Sequence, residues 1–259
     1  MANKMKASTL VSTCRTIATQ YTTLYVMGAF GAPLNAANKK RYKNNHEYNR
    51  QAARQAMIDR ATSDTFAFDC VNLIKGILWG WSGDLSQTYG GARYASNGVP
   101  DIDANQMIRH TEQSTNFNDI EPGEMLWLDG HAGVYVGDGL AVECTPAWRN
   151  CVQLTAVANI GSVSGYPSRR WTKHGHLPWV DYTQPEPEPE PGQDPEPVPG
   201  PYNDVPATAW YAQDVQWCKD TGIILGVGGG NYAPNSPVTR AQAAALLHRL
   251  YNYITGGNA

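Results

Sequence analysis

The stretch QPEPEPEPGQDPEPVPGP, residues 184–201, constrains this chain more than any other. Proline fixes φ and removes a backbone donor, so neither a helix interior nor a central strand can run through such a segment. The carboxylates between the prolines repel one another. The stretch is therefore expected to be a polyproline II spacer, about 3.1 Å per residue and on the order of 50 Å long. A chain of 259 residues interrupted there reads as two separately folded parts, residues 1–183 and residues 202–259, joined by the spacer 184–201.

The first part runs from helical to strand patterning. Leu10, Ile17, Tyr21 and Leu24 make a helical stripe, and NAANKKRYKNNHEYNRQAARQAMIDRA is a second, more polar helix whose charges form its solvated face. A third helix is expected from Cys70 to about Trp79, and a short one over residues 101–113. EMLWLDG, HAGVYVGDG, LAVECTP and NCVQLTA are then short apolar runs punctuated by Gly and Pro, as in an antiparallel sheet, with RRWTKHGHLPWV as a final strand. Helices first and strands later indicate an α+β fold.

Composition narrows the partners. A net charge of −3 leaves no basic footprint for nucleic acid. No apolar run approaches the length of a membrane span. Residues 1–28 are studded with Ser, Thr and Gln and lack a continuous apolar core, so no signal peptide is expected and synthesis in the cytoplasm is. Five cysteines without a CxxC pair argue against a disulfide framework or a zinc site. Cys144 and Cys151 are near enough in sequence to meet across a hairpin, with free thiols as the default. His174 and His176 have a spacing that suits a metal, but zinc needs three or four ligands and no Cys or carboxylate stands close by in sequence, so neither metal nor cofactor is expected.

Chemistry concentrates around FAFDCVNLIKGILWGW, residues 66–81. Asp69 is a good N-cap, and a thiol in the first helical turn feels unpaired N–H groups and the positive end of the helix dipole, which favour thiolate. His131 opens a strand, and the turn Gly137-Asp138-Gly139 brings the next strand back so that Glu143 can approach it. A cysteine, a histidine and a polar residue that orients the far ring nitrogen make a nucleophilic triad.

The ordered set YVMGAFG, FDC, EPGEMLWL and HAGVYVGDGLAVE resembles the NlpC family of papain-like cell-wall cysteine peptidases over most of residues 10–150. The resemblance implies Cys70 as nucleophile, His131 as general base, Glu143 as the orienting group, and Tyr25 and Asp69 as walls of the substrate pocket. It also implies hydrolysis of an amide bond in the peptidoglycan stem peptide. Two departures stand out. Val71-Asn72 replaces the Ser-Gly usual after the nucleophile, and Glu143, which is similar to the CHAP amidase arrangement, replaces the usual His, Asn or Gln. They leave two alternatives: an N-acetylmuramoyl-L-alanine amidase, or a catalytically silent wall-binding adaptor.

After the spacer, YNDVPATAWYAQDV and TGIILGVGGGNYAPNSPVTRAQAAALL read as helix, glycine loop, helix, with Thr239 capping the second helix. GVGGGNY lacks the Lys-Ser/Thr of a phosphate loop and reads as a turn. This part resembles an S-layer homology repeat, which implies a small α-helical unit binding a secondary cell-wall polymer, with Asp204, Trp210 and Arg240 as candidate contacts. Such repeats usually occur in threes. One repeat alone therefore raises the expectation of a homotrimer. Together the two resemblances imply a peptidoglycan hydrolase anchored at the Gram-positive cell wall, and the lack of a signal-peptide pattern adds the expectation of an endolysin of phage or prophage type.

Overall fold

A computed structural model describes residues 4–183, 200–206, 211–234, 236 and 238–255. The spacer from 184 to 199 and Trp210 lie outside the described residues. The chain divides into two units, Met1–Gln184 and Pro185–Ala259.

The first unit is α+β. It begins with β1 (Met5–Lys6), α1 (Ala7–Gln20), β2 (Thr23–Tyr25), β3 (Phe30–Pro33), α2 (Ala36–Asn45), α3 (Glu47–Arg50), α4 (Ala52–Arg60), β4 (Phe66–Phe68), α5 (Cys70–Leu78) and α6 (Ala104–Arg109). There follow β5 (Met125–Leu128), β6 (His131–Gly137), β7 (Leu140–Thr145), β8 (Cys151–Val157), β9 (Ser168–Arg169), β10 (Lys173–Gly175) and β11 (Val180–Asp181).

Three expectations change. Tyr21 and Leu24 leave the helical stripe, because α1 stops at Gln20 with Tyr21 extended, and Thr23 and Tyr25, β-branched and aromatic, favour β2, which pairs with β4. The polar helix over 35–61 breaks into α2, α3 and α4. His46 turns extended, its ring accepts from the Tyr48 N–H at 3.1 Å, and Asn49 bonds both the N–H and the carbonyl of Met27 at 3.1 and 2.9 Å. Asn and His side chains that bond backbone in this way compete with helix propagation. The final strand splits into β9, β10 and β11.

That last split follows from the main sheet, ordered β10-β5-β6-β7-β8-β9. β9 and β10 occupy opposite edges, yet the four steps from Arg169 to Lys173 span at most about 14 Å. Five flat strand spacings would need about 24 Å, so the sheet must curl until its edges approach. Trp171, on the connecting segment, fills the inside of the curl with Leu126, Tyr135, Ala141 and Val157. Gly133 makes room for it: a Cβ there would lie 2.9 Å from Trp171 Cη2. The outer face carries Val134, Val136 and Val142 against Leu10 and Ile17 of α1 and Leu73, Ile74 and Ile77 of α5.

Between β6 and β7, Gly137 pairs with Leu140 around Asp138 and Gly139, at φ +56° and +71°. Positive φ at both central residues is the type I′ geometry that Asp-Gly favours in two-residue hairpins. Cys144 pairs with Val152 and Thr145 with Cys151, so the two thiols face opposite sides of the sheet and both are free.

The second unit contains α7 (Ala212–Asp220) and α8 (Arg240–Thr255). Its small core gathers Val205, Ala212 and Val215 with Tyr202, Tyr211 and Tyr232. Thr239 Oγ1 accepts from Gln242 N at 3.2 Å and Gln242 Oε1 accepts from Thr239 N at 2.8 Å, a capping box that fixes the start of α8. Gly228, Gly229 and Gly230 all have positive φ and form the turn expected of the glycine run.

Candidate active site

Asp69 ends β4's extension and caps α5. Its Oδ1 accepts from Asn72 N at 2.8 Å, and its Oδ2 accepts from Gly28 N at 2.8 Å and Asn72 Nδ2 at 2.7 Å. Asn72, which departs from the expected Ser-Gly, thus locks the capping carboxylate. Burial raises the Asp69 pKa, while the N–H groups of Asn72 and Gly28 pull it back. Cys70 is the first residue of α5, and its Sγ points to the Gly130 carbonyl oxygen at 3.9 Å, immediately before His131.

His131 opens β6, and its Nε2 lies 2.6 Å from Glu143 Oε2 on β7. Glu143 is fully buried. Its Oε1 accepts from Thr155 Oγ1 at 2.7 Å, and Arg169 Nε sits 2.9 and 2.8 Å from its two oxygens. Burial pushes the Glu143 pKa up, but the bond and charge of His131 and those of Arg169 outweigh it, and the net shift is downward. Trp171 stacks on the His131 ring at 5.5 Å and 8°. With Nε2 committed to the carboxylate and one ring face covered, Nδ1 is the nitrogen free for proton transfer.

Cys70 departs from the thiolate expectation. Burial, with the Asp69 charge adding to it, pushes the thiol up to about 12, against the N–H groups of Ala132, Val71 and Cys70 itself. Desolvation outweighs the helix terminus and favours the neutral thiol.

The thiol opens onto a cleft of about 570 Å³ lined by Tyr25, Asp69, Asn72, Tyr94, Asp103 and Asn105, among others. Lys75, buried in α5, pairs with Asp101, whose Oδ2 accepts from Tyr94 OH at 2.7 Å, and this closes the far wall. Tyr25 is buried beside Tyr48 with its ring edge-on at 5.9 Å, and Arg54 donates to its carbonyl. Of the five residues expected in the first unit, Tyr25, Asp69 and Cys70 line one cleft, His131 and Glu143 pair with each other, and the two groups are joined at Gly130, whose carbonyl oxygen lies 3.9 Å from the Cys70 thiol. Thr155, Arg169 and Trp171, which hold Glu143 and His131, carry no sequence signal of that role, because each arrives from a separate strand or loop.

The other histidines are satisfied otherwise. His174 bonds Glu124 through Nδ1 and the Asn116 carbonyl through Nε2 at 2.9 Å, while His176 Nε2 lies 3.0 Å from Glu124 Oε1. A carboxylate does stand beside them, brought by β5 from 50 residues away for His174. Among the described residues, no group of three or more His, Cys, Asp or Glu is arranged to hold a metal ion.

In the second unit, Asp204 Oδ1 and Oδ2 accept from Tyr232 N and Ala233 N, both at 2.7 Å. These bonds hold its pKa down. Arg240 is exposed in the first turn of α8, and Trp210 is outside the described residues. A groove of about 270 Å³ runs beside α8, lined by Leu225, Val227, Tyr232, Val238 and Leu246.

Residues 201–244 match the family described as the S-layer homology domain. Among solved structures the chain is similar to the structure of NlpC2 from Trichomonas vaginalis, at a TM-score of 0.33 and 13% identity, covering 66% of this chain and 46% of that one. The similarity thus spans about half of that protein's length. No curated protein matches the chain.

Proposed function

We propose that this chain is a peptidoglycan hydrolase: residues 1–183 cut an amide bond in the stem peptide, and residues 202–259 hold the enzyme at the wall across the spacer 184–201. The observation that carries the reading is the Cys70 thiol at a helix N-terminus, facing the backbone beside His131, whose Nε2 is 2.6 Å from buried Glu143. In this mechanism Cys70 attacks the amide carbonyl carbon as its proton passes to His131. The oxyanion accepts from the Cys70 backbone N–H. His131 then protonates the leaving amine as the C–N bond breaks, and next draws a proton from water that hydrolyses the thioester. Glu143, held by Thr155 and Arg169, orients the ring and stabilises its charged state. Tyr25 and Asp69 shape the subsite next to the nucleophile. A neutral resting thiol fits concerted transfer, in which the ion pair forms only during attack.

The wall-binding role rests on the S-layer homology match. Arg240 at the start of α8 fits it, because a cation at a helix N-terminus opposes the dipole and gains only when an anion is bound. Asp204 acts by fixing the loop at Tyr232 and Ala233, and Trp210 completes the polymer contacts. Three chains associate through α8, where Leu247, Tyr251 and Ile254 lie along one side and are 67, 65 and 73% exposed. Light scattering at working concentration should give three times the chain mass; a monomer sinks the trimer.

Amine release from purified Gram-positive peptidoglycan tests the enzyme directly. The wild type should release amines steadily and His131→Ala should lose at least about a hundredfold of that rate, as expected for a general base. Equal release by both ends the mechanism. An endolysin setting, with synthesis in the cytoplasm and release to the wall by a separate pore, predicts that expression of the chain lyses a Gram-positive host only when a pore-forming protein is expressed with it. The N-acetylmuramoyl-L-alanine amidase and the silent adaptor are the remaining readings, and the burial that pushes the Cys70 thiol up to about 12 favours the adaptor.

A further inference from the structure

Asn105, the second residue of α6, lines the cleft and makes three side-chain hydrogen bonds to one short segment. Its Oδ1 accepts from Gly130 N at 2.8 Å and from Trp127 Nε1 at 2.9 Å, and its Nδ2 donates to Asp129 Oδ1 at 2.8 Å. Two N–H groups on one side and a carboxylate on the other fix the orientation of the amide, since only the oxygen accepts and only the nitrogen donates. The segment is the end of β5 and the two-residue turn, Asp129-Gly130, that leads into β6: Leu128 pairs with His131, and Gly130 takes φ +71°. Gly130 also supplies the carbonyl oxygen 3.9 Å from the Cys70 thiol, and His131 follows it in the chain.

We propose that Asn105 is a positioning residue, which sets the Gly130 peptide and through it the approach of His131 to Cys70. This rests on the cysteine-hydrolase reading above. A misplacement of about 1 Å in a reacting group can cost on the order of a hundredfold in rate, and a hairpin turn held by one amide is a place where such a shift would arise. The role also carries a reversible code. Asn105→Asp keeps both acceptor contacts but sets a carboxylate against Asp129, whereas Asn105→Asp combined with Asp129→Asn restores all three bonds, with donor and acceptor exchanged only in the bond between positions 105 and 129.

The test follows alkylation of Cys70 by iodoacetamide across pH in the full chain, with mass spectrometry of the Cys70 peptide, alongside peptidoglycan hydrolysis. Asn105→Ala and Asn105→Asp should each lower kcat at least about tenfold with KM within about twofold, and should displace the alkylation profile. The double variant should recover the wild-type profile and most of kcat. A melting temperature that falls while kcat and the alkylation profile stay at wild-type values would make Asn105 merely structural and overturn the proposal. If Asn105→Ala does not fold, the near-isosteric Asn105→Asp and its double variant decide: displacement followed by recovery supports positioning, and identical profiles overturn it. A displaced and recovered alkylation profile in a chain that cuts no peptidoglycan would keep the positioning role and remove the hydrolase reading, whereas hydrolysis with an unmoved profile would do the reverse.

Discussion

In α5 all nine residues from Cys70 to Leu78 are buried, whereas α8 runs for sixteen residues, Arg240 to Thr255, with none buried. Both helices carry apolar stripes. The difference is what surrounds them: α5 is packed against β3, the curled sheet and α1, while α8 leans a half-buried stripe of Ala243, Leu246 and Leu250 on its unit and leaves Leu247, Tyr251 and Ile254 exposed. Enclosure fixes α5, and with it the position of the Cys70 thiol at its first residue. An open helix such as α8 contributes correspondingly little to its own unit.

Core truncation should show the contrast at its largest. Ile74→Ala on α5 should cost the first unit about 3 kcal/mol, while Leu247→Ala on α8 should change the monomer by less than about 0.5 kcal/mol, both read from denaturant midpoints. Equal costs would mean that α8 is enclosed after all. Next in size is Glu143→Gln, which leaves Arg169 facing a neutral group. It should cost about 2 kcal/mol at neutral pH, a little under the usual loss for a broken buried pair, and should reduce kcat strongly. The sign with pH is fixed by the lowered carboxylate. Its contribution is full above the ordinary value of 4.5 and disappears as pH falls through the lower native value, so wild type and Glu143→Gln should converge in acid.

On α8, Leu247→Ser with Ile254→Ser should reduce the mass seen by light scattering while leaving the first unit's melting unchanged. Thr239→Ala should have the smallest effect, about 1 kcal/mol confined to the second unit, because it removes one half of the capping box.

How much of this was legible follows the range of the interactions. The start of α5 at Cys70 and the Asp138-Gly139 hairpin rest on local chemistry, a cap before an apolar run and a dipeptide suited to positive φ, and both stand where the sequence placed them. The position of Glu143 beside His131 follows from that hairpin. Trp171, Arg169 and Asn105 were silent because their roles depend on the curl of the sheet and on a turn 25 residues away from Asn105. The broken polar helix was equally hidden, since Asn49 serves the backbone of Met27, 22 residues earlier. The apolar run around Cys70 suggested a buried thiol, but that desolvation outweighs the helix terminus depended on how completely α5 is enclosed.

The most direct measurement digests purified Gram-positive peptidoglycan with the wild type and with Cys70→Ser, then identifies new termini by mass spectrometry. New amine ends made by the wild type, and at least about a thousandfold fewer by Cys70→Ser, are the predicted result, and the fragment masses then separate a stem-peptide endopeptidase from an N-acetylmuramoyl-L-alanine amidase. Equal cleavage by both proteins, or cleavage by neither while wall binding persists, would contradict a cysteine hydrolase built on Cys70.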